Sequence, residues 1–320
     1  MEALKKPLLI LTGPTAVGKT SLSIGLAKAI GGEIISADSM QVYRGMDIGT
    51  AKITPEQMQG IPHYLIDILD PKEEFNVVLF QQKCKEAMNR IYQKGKIPII
   101  VGGTGFYIQS VLYDIDFTQQ ETDTGYRLEL EEYARKNGKE ALHRQLQSVD
   151  EESAKAIPPA NVKRVIRALE YYHQTGEKLS KHNREQRQKQ SPYRFLYYVL
   201  RLPRPVLYEM INQRVDLMRE QGLVEEVKRL REQGCHRNMV SMQGLGYKEI
   251  LAALDGEMTL EQAFDTIKRE TRHFAKRQFT WFRREREVTW IDKDQFAGEK
   301  ELLEYCTKEI FQTLLPDNLR

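Results

Sequence analysis

Residues 8–23, LLILTGPTAVGKTSLS, decide how the rest of the chain is read. An apolar run from Leu8 to Leu11 leads into Gly13-Pro14-Thr15-Ala16-Val17-Gly18-Lys19-Thr20, and apolar residues resume at Leu22, Ile24, Leu26 and Ala27. Strand, GxxxxGK[ST] and helix, in that order, are the context in which this motif works as a phosphate-binding loop. Gly13 and Gly18 allow backbone conformations that present successive N–H groups to an anion. The helix that follows aims the positive end of its dipole at the same point. Lys19 adds a compact, mobile charge, and the Thr20 hydroxyl is placed to ligate Mg²⁺. The stretch predicts a site for a diphosphate or polyphosphate.

Downstream, residues 33–37 (EIISA) read as a second buried strand running into Asp38-Ser39-Met40-Gln41. Working residues in open parallel sheets gather at the carboxyl ends of strands, so Asp38 points at the phosphate site if its strand neighbours the first. On position alone Asp38 suits a base, a cap for the next segment or a Mg²⁺ ligand equally well. A strand is expected over 63–69 (HYLIDIL), an amphipathic helix over 75–94 stopped by Gly95, and an apolar strand over 97–101 entering Gly102-Gly103-Thr104-Gly105. This alternation predicts an α/β fold with a parallel sheet. The last strand ends in glycines, where a P-loop ATPase usually carries an aspartate for Mg²⁺. Asp67 and Asp70 are the nearest substitutes, and the scaffold reads as a P-loop with altered chemistry.

From about residue 117 the pattern turns helical, with candidates at 121–134, 139–146 and 161–174, until strand character returns at 195–200 (FLYYVL). Helices are then expected over 206–233, 245–254 and 260–286. The chain thus divides into the first part of a P-loop core (1–116), a helical insertion (117–192), and a return to the core with a helical C-terminal region (193–320).

With 320 residues, 41% hydrophobic and 29% charged, the composition is that of a soluble globular protein able to bury a sizeable core. Cys84, Cys235 and Cys306 lie too far apart for a disulfide framework or a zinc module, and Cys235-His236 has no further ligands beside it. There is no apolar signal core at the N-terminus and no run long enough to span a bilayer, so a cytoplasmic location without membrane contact is expected.

The net charge of +3 says little, but its distribution says more. Between Asn161 and Arg204 the acids are Glu170, Glu177 and Glu185, against Lys163, Arg164, Arg167, Lys178, Lys181, Arg184, Arg187, Lys189, Arg194, Arg201 and Arg204. Tyr171, Tyr172 and His173 are interleaved, as a nucleic-acid phosphate track requires. Farther on, Arg269, Arg272, Lys276, Thr280 and Arg283 recur at spacings of three and four, on one helical face. Each cluster alone reads as well as a solvated helix face; the two together favour RNA.

The ordered segments GPTAVGKTSLS, DSMQVYRGMDIGTAK, PHYLID, IPIIVGGTGFYI, KRVIRALE, GLGYKE and AKRQFTWFR closely resemble the bacterial tRNA dimethylallyltransferase family, over nearly the whole chain. The resemblance implies transfer of a dimethylallyl group from dimethylallyl diphosphate to N6 of adenosine 37, in tRNAs that read codons beginning with U. It makes the P-loop, Gly13 to Thr20, a diphosphate site assisted by Mg²⁺ on Thr20, and makes Asp38 the base. Arg214 aligns with an arginine that holds the diphosphate, so that Lys19, Thr20, Asp38 and Arg214 form the catalytic set. Contacts to tRNA are implied for Asp38, Ser39, Met40, Gln41, Thr104, Arg127, Lys163, Arg164, Val165, Ile166, Arg167, Gln243, Gly244, Leu245, Gly246, Tyr247 and Lys248. The insertion would grip the anticodon stem, and a monomer is expected. The scattered cysteines exclude the C-terminal zinc finger of the eukaryotic branch. The alternatives are an adenylate isopentenyltransferase, which acts on free AMP, ADP or ATP, and a P-loop kinase for a small metabolite.

Overall fold

A computed structural model describes residues 5–117 and 124–314, which fall into two compact units, 1–112 with 192–320 and 113–191. The larger unit carries six strands, β1 (Lys6–Thr12), β2 (Gly32–Ser36), β3 (His63–Tyr64), β4 (Ile97–Gly102), β5 (Tyr193–Arg201) and β6 (Thr289–Asp292), in the order β3-β2-β4-β1-β5-β6 with every pairing parallel. Its helices are α1 (Lys19–Ile30), α2 (Pro55–Met58), α3 (Val77–Gln93) and α4 (Gly105–Leu112) before the insertion. The insertion contributes α5 (Thr124–Asn137), α6 (Lys139–Val149), α7 (Glu151–Ala156), α8 (Val162–Thr175) and α9 (Leu179–Gln188). After it come α10 (Arg204–Glu220), α11 (Leu223–Glu232), α12 (Tyr247–Leu254), α13 (Leu260–Phe282) and α14 (Glu299–Thr313). The fold is α/β, a parallel sheet flanked by helices.

Central β1 is buried from Leu8 through Thr12, which is why it reads as an unbroken apolar run instead of alternating. Leu9, Leu11, Leu26, Ile34, Ile99, Tyr198 and Leu200 join one core with Leu207, Ile211 and Ile291. The insertion has its own core of Leu142, Leu146, Ile157, Val165, Ile166 and Leu169. Among the described residues no helix is long and apolar enough to cross a membrane.

Several sequence expectations are corrected. The strand expected over 63–69 shrinks to His63–Tyr64 on the sheet edge, because Leu65 and Asp67 adopt positive φ of 62° and 54° and break the extended run. The single helix expected over 206–233 is two, α10 and α11, separated at Gly222, whose φ is 94°. Strand β6 lies in a region read as helical, and α7 and α9 were not foreseen. Residues 121–123, where the first insertion helix was expected to begin, lie outside the described residues.

Candidate active site

The P-loop leaves β1 between its neighbours β4 and β5. Gly18 precedes α1 with φ 88°, a left-handed conformation that glycine adopts without strain. Lys19 folds back on its own loop, its Nζ donating to the carbonyls of Gly13 at 3.0 Å and Pro14 at 2.8 Å. Burial pushes the Lys19 pKa down to about 7, the Arg214 guanidinium pushes the same way, and the Asp38 carboxylate opposes both. Burial also lowers the pKa of Arg214, again opposed by Asp38. Lys19, Asp38 and Arg214 thus feel one another's charge, although they come from the ends of β1 and β2 and from α10.

Asp38 gets there by a route the sequence did not suggest. Strand β2 is not beside β1; β4 lies between them. Asp38 follows β2 by two residues, and its Oδ1 accepts the N–H groups of Met40 at 2.8 Å and Gln41 at 3.2 Å. Oδ1 thus fixes the turn, and no hydrogen bond of the second carboxylate oxygen is found among the described residues.

The glycines ending β4 have a packing cause. A Cβ on Gly102 would lie 2.3 Å from the Ala37 carbonyl oxygen, one on Gly103 2.1 Å from Gln278 Nε2, and one on Gly105 2.1 Å from Trp281 Cδ1. No side chain fits there, so the acid of an ATPase cannot. Asp67 is no substitute, being paired with Lys52 at 2.5 Å, and Asp70 caps the N–H of Lys72 at 2.9 Å. Among the described residues no group of three or more His, Cys, Asp or Glu side chains could hold a metal by itself. Thr20 is exposed at the start of α1, and no hydrogen bond of its hydroxyl is found among the described residues. That suits Mg²⁺, which takes one or two protein oxygens, keeps several waters and rides on substrate phosphates.

Two residues that sequence reading missed hold the site together. Gln278, buried on α13, accepts from the Thr15 N–H at 2.9 Å and donates to the Gly103 carbonyl at 3.0 Å, bridging the P-loop to the loop after β4. Glu226 on α11, 1% exposed, accepts the N–H groups of Asp47, Ile48 and Gly49 and the Tyr247 hydroxyl, all within 3.1 Å. It ties the loop after Met40-Gln41 to α12. We expect Glu226→Ala to cost about 3–5 kcal/mol, because one buried hydroxyl and three part-buried backbone donors lose their acceptor together. A denaturant melt should show a lower midpoint at unchanged slope; an unchanged midpoint would remove Glu226 from that role.

The residues implied to touch tRNA divide by exposure. Lys163, Arg164 and Arg167 form the exposed face of α8 and have no acidic partner among the described residues, whereas Val165 and Ile166 are core. Arg127 forms a bidentate pair with buried Glu170, both contacts at 2.8 Å, so its first duty is within the insertion. Tyr247 is buried on Glu226, while Gln243 is exposed and Lys248 half-exposed. Met40 lies against Gly244, where a Cβ would come within 3.3 Å of its sulfur, so those two implied segments do meet. Thr104 receives the N–H groups of Tyr107 and Ile108 on its carbonyl at the start of α4. Lys276 and Thr280 of α13 and Arg283 just after it line a cavity of about 240 Å³ shared with Arg204 and Tyr208 of α10, while Arg269 pairs with Glu270 and Arg272 donates to Asn212.

A family model described as IPP transferase matches residues 41–285. A curated tRNA dimethylallyltransferase of Lachnoclostridium phytofermentans is 60% identical over 303 residues, 95% of this chain and 97% of that protein. Among solved structures, the full-length tRNA isopentenylpyrophosphate transferase of Bacillus halodurans is 46% identical with a TM-score of 0.74, covering 97% of each chain. A eukaryotic dimethylallyltransferase solved acting on tRNA is 29% identical with a TM-score of 0.83, covering 97% of this chain and 80% of that one. With the glycine-ended β4, the P-loop and Asp38 in place, the chain belongs to the IPP transferase family.

Proposed function

We propose that this chain is a tRNA dimethylallyltransferase, a prenyltransferase that moves the dimethylallyl group of dimethylallyl diphosphate to N6 of adenosine 37 and releases diphosphate. The observation that carries the reading is the meeting of one carboxylate, Asp38, with two cations, Lys19 and Arg214, at the mouth of a P-loop. The cations answer the negative charge that grows on the leaving diphosphate as the C1–O bond breaks. The N6 amine is a weak nucleophile because its lone pair is delocalised into the ring. As the N6–C1 bond forms, its proton passes to the free oxygen of Asp38. Mg²⁺, held by Thr20 and the substrate, would add positive charge at the diphosphate.

The adenine must leave its stack to be reached, which needs contacts on either side of the flipped base. Gln41 and Met40 beside Asp38, and exposed Gln243 and Lys248, are suited to that task. The exposed basic face of α8 offers a phosphate track for the anticodon stem. A kinase reading finds no acid at the end of β4 to hold a nucleotide's metal. An adenylate-specific enzyme has no use for the basic insertion.

The test supplies labelled dimethylallyl diphosphate and ATP together with unmodified tRNA. Label should enter the tRNA with one diphosphate released per transfer and ATP intact, and tRNA affinity should fall steeply with salt. ATP hydrolysis without transfer would return the chain to the kinases.

A further inference from the structure

A second lysine stands at the P-loop. The turn after β6 carries Lys293, whose Nζ donates to the Val17 carbonyl at 3.0 Å. It lies so close over Gly18 that a Cβ there would come within 2.5 Å of it. The turn is anchored by Arg201, at the end of β5, which donates from Nε and Nη2 to the two carboxylate oxygens of Asp292 and lies 5.6 Å from the centroid of the Trp290 ring. Asp292 is therefore committed to Arg201, and no carboxylate stands within ion-pair distance of Lys293 among the described residues. Lys293 also falls outside the stretch matched by the family model, residues 41–285.

An ammonium held only by a carbonyl, at the N-terminal end of α1, is electrostatically out of place. Helix N-termini favour anions and repel cations. Lys19 and Arg214, already depressed in pKa by burial, add to the positive field. Such an arrangement is relieved when an anion arrives.

Topology says which part of the anion. Asp38 follows β2 and Lys293 follows β6, and β4, β1 and β5 lie between those strands. The reacting carbon must face Asp38, so the phosphate that bears it lies toward β2. The terminal phosphate then lies toward β6, where Lys293 is. We propose that Lys293 binds the terminal phosphate of the prenyl diphosphate, making this site selective for diphosphate over monophosphate donors. The proposal rests on the reading of the P-loop as a diphosphate site.

The test compares inorganic pyrophosphate and dimethylallyl monophosphate binding in the wild type, Lys293→Met, Lys293→Arg and Lys19→Met. Methionine keeps the length of the stem without its charge. Lys293→Met should bind pyrophosphate about tenfold more weakly, as loss of one charge-assisted contact does, with monophosphate binding unchanged. Its KM for the prenyl donor should rise by a similar factor while the KM for tRNA stays within about threefold, and Lys293→Arg should restore most of the loss. The stabilisation of melting temperature by pyrophosphate should shrink, while the unliganded melting temperature stays. Wild-type pyrophosphate binding in Lys293→Met would reduce Lys293 to a latch on Val17 and overturn the proposal. So would equal loss of both ligands with a lowered unliganded melting temperature. Wild-type pyrophosphate binding in Lys19→Met would instead overturn the diphosphate reading itself.

Discussion

Replacing Asp38 by asparagine should lower prenyl transfer about a hundredfold or more while leaving tRNA binding nearly intact. Asparagine keeps an oxygen where Oδ1 now accepts the Met40 and Gln41 N–H groups, at 2.8 and 3.2 Å, so the turn survives. What it loses is the capacity to take the N6 proton. Asp38→Ala should fall at least as far and should also loosen the turn, since two backbone donors lose their acceptor. Single-turnover rates with saturating tRNA and donor separate the two effects from binding. A wild-type rate in Asp38→Asn would remove the base from the mechanism.

Lys19 carries the second large effect. Lys19→Met should lower transfer by about 10²–10³, the range seen when one preorganised group facing developing charge is removed. It should also abolish a proton signature. The Lys19 pKa is lowered to about 7, first by burial and then by Arg214. Above that value the unliganded protein increasingly holds a neutral Lys19. A bound diphosphate returns the group to its charged form, so binding at pH 8 takes up a proton on Lys19. At pH 6 the lysine is already charged and uptake on this group is close to zero. The sign follows: the lysine's contribution to diphosphate affinity falls as pH rises above about 7. Calorimetry in two buffers of different ionisation enthalpy reads the uptake directly. Equal uptake in wild type and Lys19→Met would place the proton elsewhere.

What the sequence disclosed and what it hid follow from the range of the forces involved. The P-loop was legible because its glycines, lysine and flanking apolar runs are contiguous, and β1, α1, β2, α3 and β4 lie where local period and caps put them. Gly95, with φ 70°, follows the end of α3 as expected, while the helix starts two residues late, at Val77, capped by Asn76. HYLIDIL misled because alternation alone predicts a strand, whereas two positive-φ residues bend it after Tyr64. Strand β6 was hidden by its length of four residues and the charged run before it; pairing with β5, a long-range event, makes it a strand. Glu226, Gln278 and Lys293 carried no local signal. Each acts on a segment more than 150 residues away in sequence, and only the folded chain brings them together. Asp38 was read toward the phosphate site on the condition that its strand neighbours β1, and β4 stands between the two.

The most direct test offers the purified protein Mg²⁺, labelled dimethylallyl diphosphate and one of three acceptors: unmodified tRNA, the same tRNA with guanosine at position 37, or AMP. Digestion to nucleosides then locates the label. Label confined to N6-dimethylallyladenosine from the unmodified tRNA is the result the proposed function predicts. Label in AMP, or in the guanosine-substituted tRNA, would contradict it.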